Sequence, residues 1–83
     1  MQYEYESFLR ELGAHVKKLR TDRGLTHRQM ISQHGFHLNQ LHRIENGQPV
    51  SVQTLLKLCA AFDLRLDELV RGLGLRQTPQ DDQ

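Results

Sequence analysis

Residues 35–47 read GFHLNQLHRIENG: two glycines enclose eleven residues, and none of the eleven is proline. Leu41 and Ile44 are three positions apart, as are residues on the inner side of a short helix. The positions around them carry amide, imidazole and guanidinium groups instead of the usual glutamate and lysine: Asn39, Gln40, His42 and Arg43. This face is either merely solvated or suited to meet a partner with hydrogen-bonding edges.

A second short helix is predicted immediately before this one. Thr26 and Gln29 have the T-x-x-Q spacing of a capping box, which begins a helix, and Gly35 is suited to end it in a left-handed conformation. The apolar Phe36 follows the glycine and is expected to fill the angle between the two helices. Two helices joined by such a short turn predict a helix-turn-helix, whose second helix enters the major groove of DNA.

Three further helices are predicted around this unit. The first has apolar residues at steps of three and four before Gly24: Tyr5, Phe8, Leu9, Leu12, Val16 and Leu19. Ser51 is expected to cap a fourth helix, and a short fifth helix follows with Leu64, Leu66, Leu69 and Val70. No segment alternates with period two, so no sheet is expected.

These elements predict an all-α, compact bundle of about five helices. One domain is expected over residues 1–75, and the polar tail of residues 76–83 is expected to be disordered. With 83 residues the chain is long enough for one small domain, and the single Cys59 excludes an internal disulfide. Its apolar runs are too short to span a membrane and its start, MQYEYESF, is unlike a secretory signal, so a cytoplasmic protein is expected.

The charge is unevenly distributed, although the formal net charge is only +1. Residues 23–44 contain no aspartate or glutamate, but they include Arg23, Arg28, Arg43 and four histidines. A surface that approaches phosphates requires such a region, because a misplaced carboxylate opposes the contacts that release counterions. Uneven sampling in a short chain explains the pattern equally well.

Three motifs in order carry a resemblance to a known family. They are LR-x-x-x-G-L-T at residues 19–26, R-I-E-N-G at residues 43–47, and the closing TLLKLCAAFDLRLDEL. In this order and spacing, residues 12–70 resemble the Cro/repressor helix-turn-helix family, also called the XRE family. The resemblance implies a lambda-repressor-like DNA-binding domain with its helix-turn-helix unit at residues 26–46.

The resemblance also implies roles for individual residues. Arg20 and Glu45 match a buried ion pair between the first and third helices, and His27 stands where the family usually has a glutamine that touches phosphate and braces the recognition helix. The positions expected to face base edges are Leu38, Asn39 and Arg43, flanked by His37 and His42. The positions expected to contact phosphate are Thr26, His27, Arg28, Gln40 and Asn46, with helix capping as the alternative role of Gln40.

The side chains themselves leave alternatives open at the reading positions. Arg43 could contact guanine through two hydrogen bonds, and Asn39 could contact adenine, but both would look the same as ordinary solvated residues. Leu38 could meet a thymine methyl group, or it could be partly buried against Phe36 and Leu41.

The function predicted from these features is that of a dimeric transcriptional repressor that reads a double-stranded operator with residues 37–45. Its dimer surface is expected around the fifth helix, at Leu69, Val70, Leu73 and Leu75, with the aromatic start, Tyr3, Tyr5 and Phe8, as a second candidate. The alternative is an antitoxin or adaptor that mainly binds a protein partner, with DNA binding secondary.

Catalysis and metal binding have little support in the sequence. His34, His37 and His42 straddle a turn and lack the i,i+4 spacing that places ligands on one helical face, and no cysteine or acid lies nearby. Cys59 lies on an apolar helix face with no base beside it, which predicts an inert thiol. We therefore expect no enzyme, no metal and no cofactor.

Overall fold

The computed structural model describes residues 1–76, which form five helices and two very short strands. The elements run in the order β1 (Gln2–Tyr3), α1 (Tyr5–Asp22), α2 (His27–His34), α3 (Leu38–Glu45), α4 (Val52–Phe62), α5 (Leu66–Val70) and β2 (Leu75–Arg76). The predicted five-helix bundle with a helix-turn-helix at its centre is confirmed.

The core lies where α1 crosses α3 and where α4 packs against α1 and α2. Each helix contributes its apolar side, and the buried residues form one cluster: Leu12, Val16, Met30, Phe36, Leu41, Ile44, Leu58, Cys59, Phe62 and Leu69. Burial of the Cys59 thiol raises its pKa, because the thiolate loses hydration there. The thiol is therefore a core packing group, as its apolar surroundings predicted.

Gly13 brings the backbones of α1 and α3 into direct contact. A Cβ atom at this position would lie 2.5 Å from the carbonyl oxygen of Ile44 and 2.9 Å from that of Glu45. No side chain larger than hydrogen fits between the helices without moving one of them. Gly13 therefore sets the distance between α1 and the carboxyl end of α3.

The two strands are the main departure from the sequence prediction. β1 pairs antiparallel with β2, with Gln2 opposite Arg76 and Tyr3 opposite Leu75, so the expectation of no sheet is wrong. Two-residue strands are too short to show an alternating pattern. Arg76, assigned to the tail from sequence, lies in this pairing, whereas the disorder predicted for the rest of the tail concerns residues 77–83, outside the described residues.

A carboxylate on α1 fastens the second strand. Glu11 accepts one hydrogen bond from the backbone N–H of Gly74, at 2.8 Å, and another from the guanidinium of Arg76, at 2.6 Å. The backbone hydrogen bond, together with the arginine, lowers the pKa of Glu11. The start and the end of the described chain are thereby joined beside α1.

Leu69 is wrongly placed in the predicted dimer surface. Its side chain is fully buried in the core, at 0% exposure, so it offers no surface to a partner. The other three members of that set, Val70, Leu73 and Leu75, are only half-buried. Leu66, Leu69 and Val70 have the i, i+3, i+4 spacing of one helix side, and this spacing alone does not tell which of the three side chains is fully buried.

Candidate nucleic-acid interface

Three features fix the turn between α2 and α3: a glycine conformation, a buried ring and a lysine from α4. Gly35 has φ of 72°, in the left-handed region that favours glycine, and Phe36 after it is 1% exposed in the core. From α4, the ammonium of Lys57 donates to the Gly35 carbonyl at 2.8 Å and lies 4.5 Å from the centre of the Phe36 ring. These contacts set the angle at which α3 leaves the turn.

The start of α2 has the capping box that its sequence predicted. The Thr26 hydroxyl accepts from the Gln29 backbone N–H at 3.1 Å, and the Gln29 side chain accepts from the Thr26 N–H at 2.9 Å. Two of the N–H groups at this end of the helix therefore have partners inside the protein. Arg28 follows in the first turn with an exposed side chain.

The outer face of α3 and its N-cap carry the residues expected to read bases. Positions i, i+1, i+4 and i+5 lie on one side of a helix, and here they are exposed while Leu41 and Ile44 are buried on the other side. Leu38 is 46% exposed, so it is not a core residue, and an apolar group is available at the surface. The exposed set is His37, Leu38, Asn39, His42 and Arg43.

Gln40 is used mainly within the protein. Its side-chain oxygen accepts from the His37 backbone N–H at 3.4 Å, and its nitrogen donates to the Thr54 hydroxyl at 3.3 Å. This amide completes the start of α3 and connects it to α4, in keeping with the capping role considered from sequence. The phosphate contact assigned to Gln40 remains a prediction, for which one amide hydrogen is left.

The Arg20–Glu45 ion pair implied by the family resemblance is present between α1 and α3. Arg20 Nε lies 2.9 Å from Glu45 Oε2, and the two side chains are only 11% and 9% exposed. The guanidinium also donates to the Leu25 carbonyl at 3.0 Å, on the segment that leads into α2. Three elements of the site are thus oriented through one arginine, a geometric role better supported than a stabilising one.

His27 occupies the family's glutamine position and braces α3 in a different way. Its Nε2 atom lies 3.2 Å from Glu45 Oε1, and its ring meets the His42 ring edge-on with centroids 5.2 Å apart. Both partners belong to α3. The imidazole therefore connects the first turn of α2 with the last turn of α3, while its side chain stays 28% exposed.

The only carboxylate in residues 23–62 is removed from the surface. That residue is Glu45, which is enclosed by Arg20 and His27, whereas Arg28 and Arg43 in the same segment are exposed. The face formed by α2 and α3 therefore presents cations and neutral polar groups without an exposed acid. A face without an exposed acid is favourable for an approach to phosphates.

Two residues of the site gave little signal in the sequence. Gly13 could only be read as a mid-helix glycine, although such a glycine often marks a close approach. Lys57 could only be read as a charged residue on α4.

Within residues 1–76, no three histidine, cysteine or carboxylate side chains are grouped in a way that could hold a metal ion, and no helix is long and apolar enough to cross a membrane.

Comparisons with known proteins cover this site and most of the bundle. A family model described as a helix-turn-helix domain matches residues 11–77. The restriction-modification controller protein C.AhdI from Aeromonas hydrophila is 32% identical with a TM-score of 0.67, over 74% of this chain and 94% of that chain. The clp gene regulator ClgR from C. glutamicum is 25% identical with a TM-score of 0.66, over 75% and 82%. No curated protein sequence matches the chain.

Proposed function

The chain belongs to the Cro/repressor (XRE) family of helix-turn-helix proteins, which are DNA-binding transcription regulators, and on this basis we propose that it is a dimeric repressor reading an operator through the major groove. In this proposal α3 enters the groove, and the start of α2 lies against the phosphate backbone. The observation that carries it is the exposed polar face of α3, which has no accessible carboxylate and is oriented by contacts from α1, α2 and α4.

Base reading is assigned to the exposed residues of α3 and its N-cap. Arg43 is suited to guanine through two parallel hydrogen bonds, Asn39 to adenine, and Leu38 to a thymine methyl group. His37 and His42 flank these three on the same face. The phosphate contacts are assigned to Thr26, His27, Arg28, Gln40 and Asn46, which position the helix but carry no sequence information of their own.

Substitution of Arg43 and of Arg28 is expected to separate these two roles. Arg43→Ala should remove about 1–3 kcal/mol of discrimination at one base position, because only the base-edge contact is lost. Arg28→Ala should weaken binding to all sequences alike and lower the slope of log affinity against log salt by about one. Affinities for an operator and its single-base variants, measured at several salt concentrations, check both results.

Arg65→Ala is the matched control for this pair. Arg65 is an exposed arginine beside α5 whose guanidinium lies 3.0 Å from Asp67, outside the assigned surface. Its removal should change neither discrimination nor the salt slope. Equal effects of all three substitutions would contradict the assignment of α3 to base reading.

A dimer is proposed because one module of this size makes a small DNA interface. With Leu69 in the core, Val70, Leu73 and Leu75 remain from the predicted dimer surface, and we propose α4 as a further candidate surface. Val52 and Leu56 lie one turn apart on that helix and are 67% and 52% exposed, and the exposed Ala60 continues the same stripe by another turn. An uncharged stripe of this kind can pack against its own copy across a two-fold axis, since no charge needs a complement.

Leu56→Glu is expected to weaken the dimer without unfolding the bundle. Its half-exposed side chain contributes little to the core, whereas two glutamates facing each other across a two-fold axis repel. Sedimentation analysis over a range of protein concentrations should show the monomer at concentrations where the wild type is dimeric. Gln53→Glu, on the same helix at an exposed neighbouring position, is the control that adds the same charge. An unchanged association constant for Leu56→Glu would exclude this face.

A further inference from the structure

The role proposed for His27 requires two hydrogen-bond donors, one for Glu45 and one for a backbone phosphate. Its contact with Glu45 is made through Nε2, at 3.2 Å, and a carboxylate that already accepts from Arg20 offers only acceptor oxygens. Nε2 therefore carries the hydrogen in this contact. In a neutral imidazole the second ring nitrogen, Nδ1, is then an acceptor and has no hydrogen to donate.

A phosphate group also requires a hydrogen-bond donor, as the Glu45 carboxylate does. Its oxygens are acceptors, so a contact from His27 to the DNA backbone needs a second N–H on the ring. The glutamine usual at this position in the family solves the problem with one NH₂ group, whose two hydrogens serve two partners at any pH. Histidine gains its second donor only when the ring is protonated.

We propose that DNA binding by this protein takes up a proton at His27, so that the protonated ring donates to Glu45 and to a backbone phosphate at once. The inference rests on the proposed function, since it concerns the approach of His27 to DNA. It makes His27 a positioning residue whose action depends on pH. Histidine is the side chain whose unperturbed titration falls between pH 5 and pH 8, which sets the pH range in which the proposal is tested.

Charges of both signs lie around His27, and bound DNA adds a negative one. From α3 it faces the carboxylate of Glu45 and the ring of His42, and from α1 the guanidinium of Arg20 reaches the same carboxylate. On its own helix Arg28 is exposed, and the α4 cation Lys57 is bound at the far end of α2, to Gly35. A phosphate added on the exposed side of the ring supplies a second negative group, which attracts the protonated form.

The test is the affinity for a fixed operator duplex between pH 6 and pH 8 at constant salt. In the wild type, affinity should fall as pH rises, by at most about tenfold per pH unit because one proton is coupled. His27→Gln should bind with an affinity that changes by less than about twofold over the range, because the amide keeps both donors at every pH. His27→Ala should bind weakly throughout, since both contacts are lost.

Two histidine controls separate His27 from a general effect of histidine charge. His15→Gln, on α1 away from the assigned surface, should keep both the affinity and the pH slope of the wild type. His37→Gln, on the DNA-facing side, should keep the slope even if its affinity is lower. A steep slope retained by His27→Gln, or lost instead in His37→Gln, overturns the proposal.

Proton resonances of the histidine rings give a readout that needs no DNA. Because the His27 and His42 rings are in edge contact, the His27 ring should shift the His42 signals, and at one fixed pH this contribution should vanish in His27→Gln. Independence of the two rings overturns the bracing arrangement.

The DNA-binding results distinguish two failures. If all variants bind duplex DNA but His27→Gln keeps the pH slope of its affinity, only the proton linkage fails. If no variant binds at any pH, the proposed function is overturned as well.

Discussion

Glu45→Ala is expected to lower the free energy of unfolding by about 3–5 kcal/mol, because it leaves a buried guanidinium without its partner. Arg20 is only 11% exposed and would keep just its hydrogen bond to the Leu25 carbonyl. His27 would lose the same carboxylate. Since small domains are stable by only about 5–15 kcal/mol, this loss is a large fraction of the total. Urea unfolding followed by circular dichroism measures the change.

Asp67→Ala is the matched control for this substitution. Asp67 also pairs with an arginine, at 3.0 Å from Arg65, but its side chain is 54% exposed, so its loss should cost less than about 1 kcal/mol. The double variant Arg20→Met with Glu45→Leu should recover much of the stability, because no unpaired charge remains in the core. Equal losses for Glu45→Ala and Asp67→Ala would contradict the assignment of Glu45 as a buried brace.

Gly13→Ala is expected to destabilise the protein by about 1–3 kcal/mol, although alanine is the better helix former by about 1 kcal/mol. The sign follows from the structure, since the added methyl group would lie 2.5 Å from the Ile44 carbonyl oxygen and must push α1 and α3 apart. Operator affinity should fall as well, because α3 carries the reading face. Thermal unfolding and DNA binding of the purified variant measure the two effects.

Ala14→Gly isolates the contribution of helix propensity at the neighbouring, exposed position of α1. It should cost about 1 kcal/mol and leave DNA affinity unchanged. A stabilised Gly13→Ala variant would show that the two helices have room to spare, and the tight contact between α1 and α3 would then be excluded.

Local signals in the sequence were enough for the helix-turn-helix unit itself. The capping box at Thr26 and the left-handed Gly35 act over a few residues, so their structural outcome could be predicted directly. The burial of Leu41 and Ile44 followed from their spacing, and that of Phe36 from its position directly after Gly35. The Arg20–Glu45 pair came from the family resemblance instead, because nothing in the spacing of two residues 25 apart indicates a contact.

What escaped prediction depends on contacts between distant parts of the chain. The pairing of Tyr3 with Leu75 joins the two ends of the described chain, and no local pattern marks it. The partners of His27 became visible only when α2 and α3 were placed side by side, and the departure from the family's glutamine then gained a specific chemical consequence. The misplacement of Leu69 has a similar origin, since its burial depends on how α5 lies against the other helices.

Selection of bound sequences from a random pool of duplex DNA tests the central claim most directly. A dimer that reads DNA with α3 should enrich a two-fold symmetric motif whose half-sites are about 10 base pairs apart, and its binding to that motif should weaken steeply as salt is raised. Arg43→Ala should relax the motif at one position in each half-site. Failure to enrich any motif, with no salt-sensitive binding to duplex DNA, would contradict the proposed function and favour an adaptor that binds a protein partner.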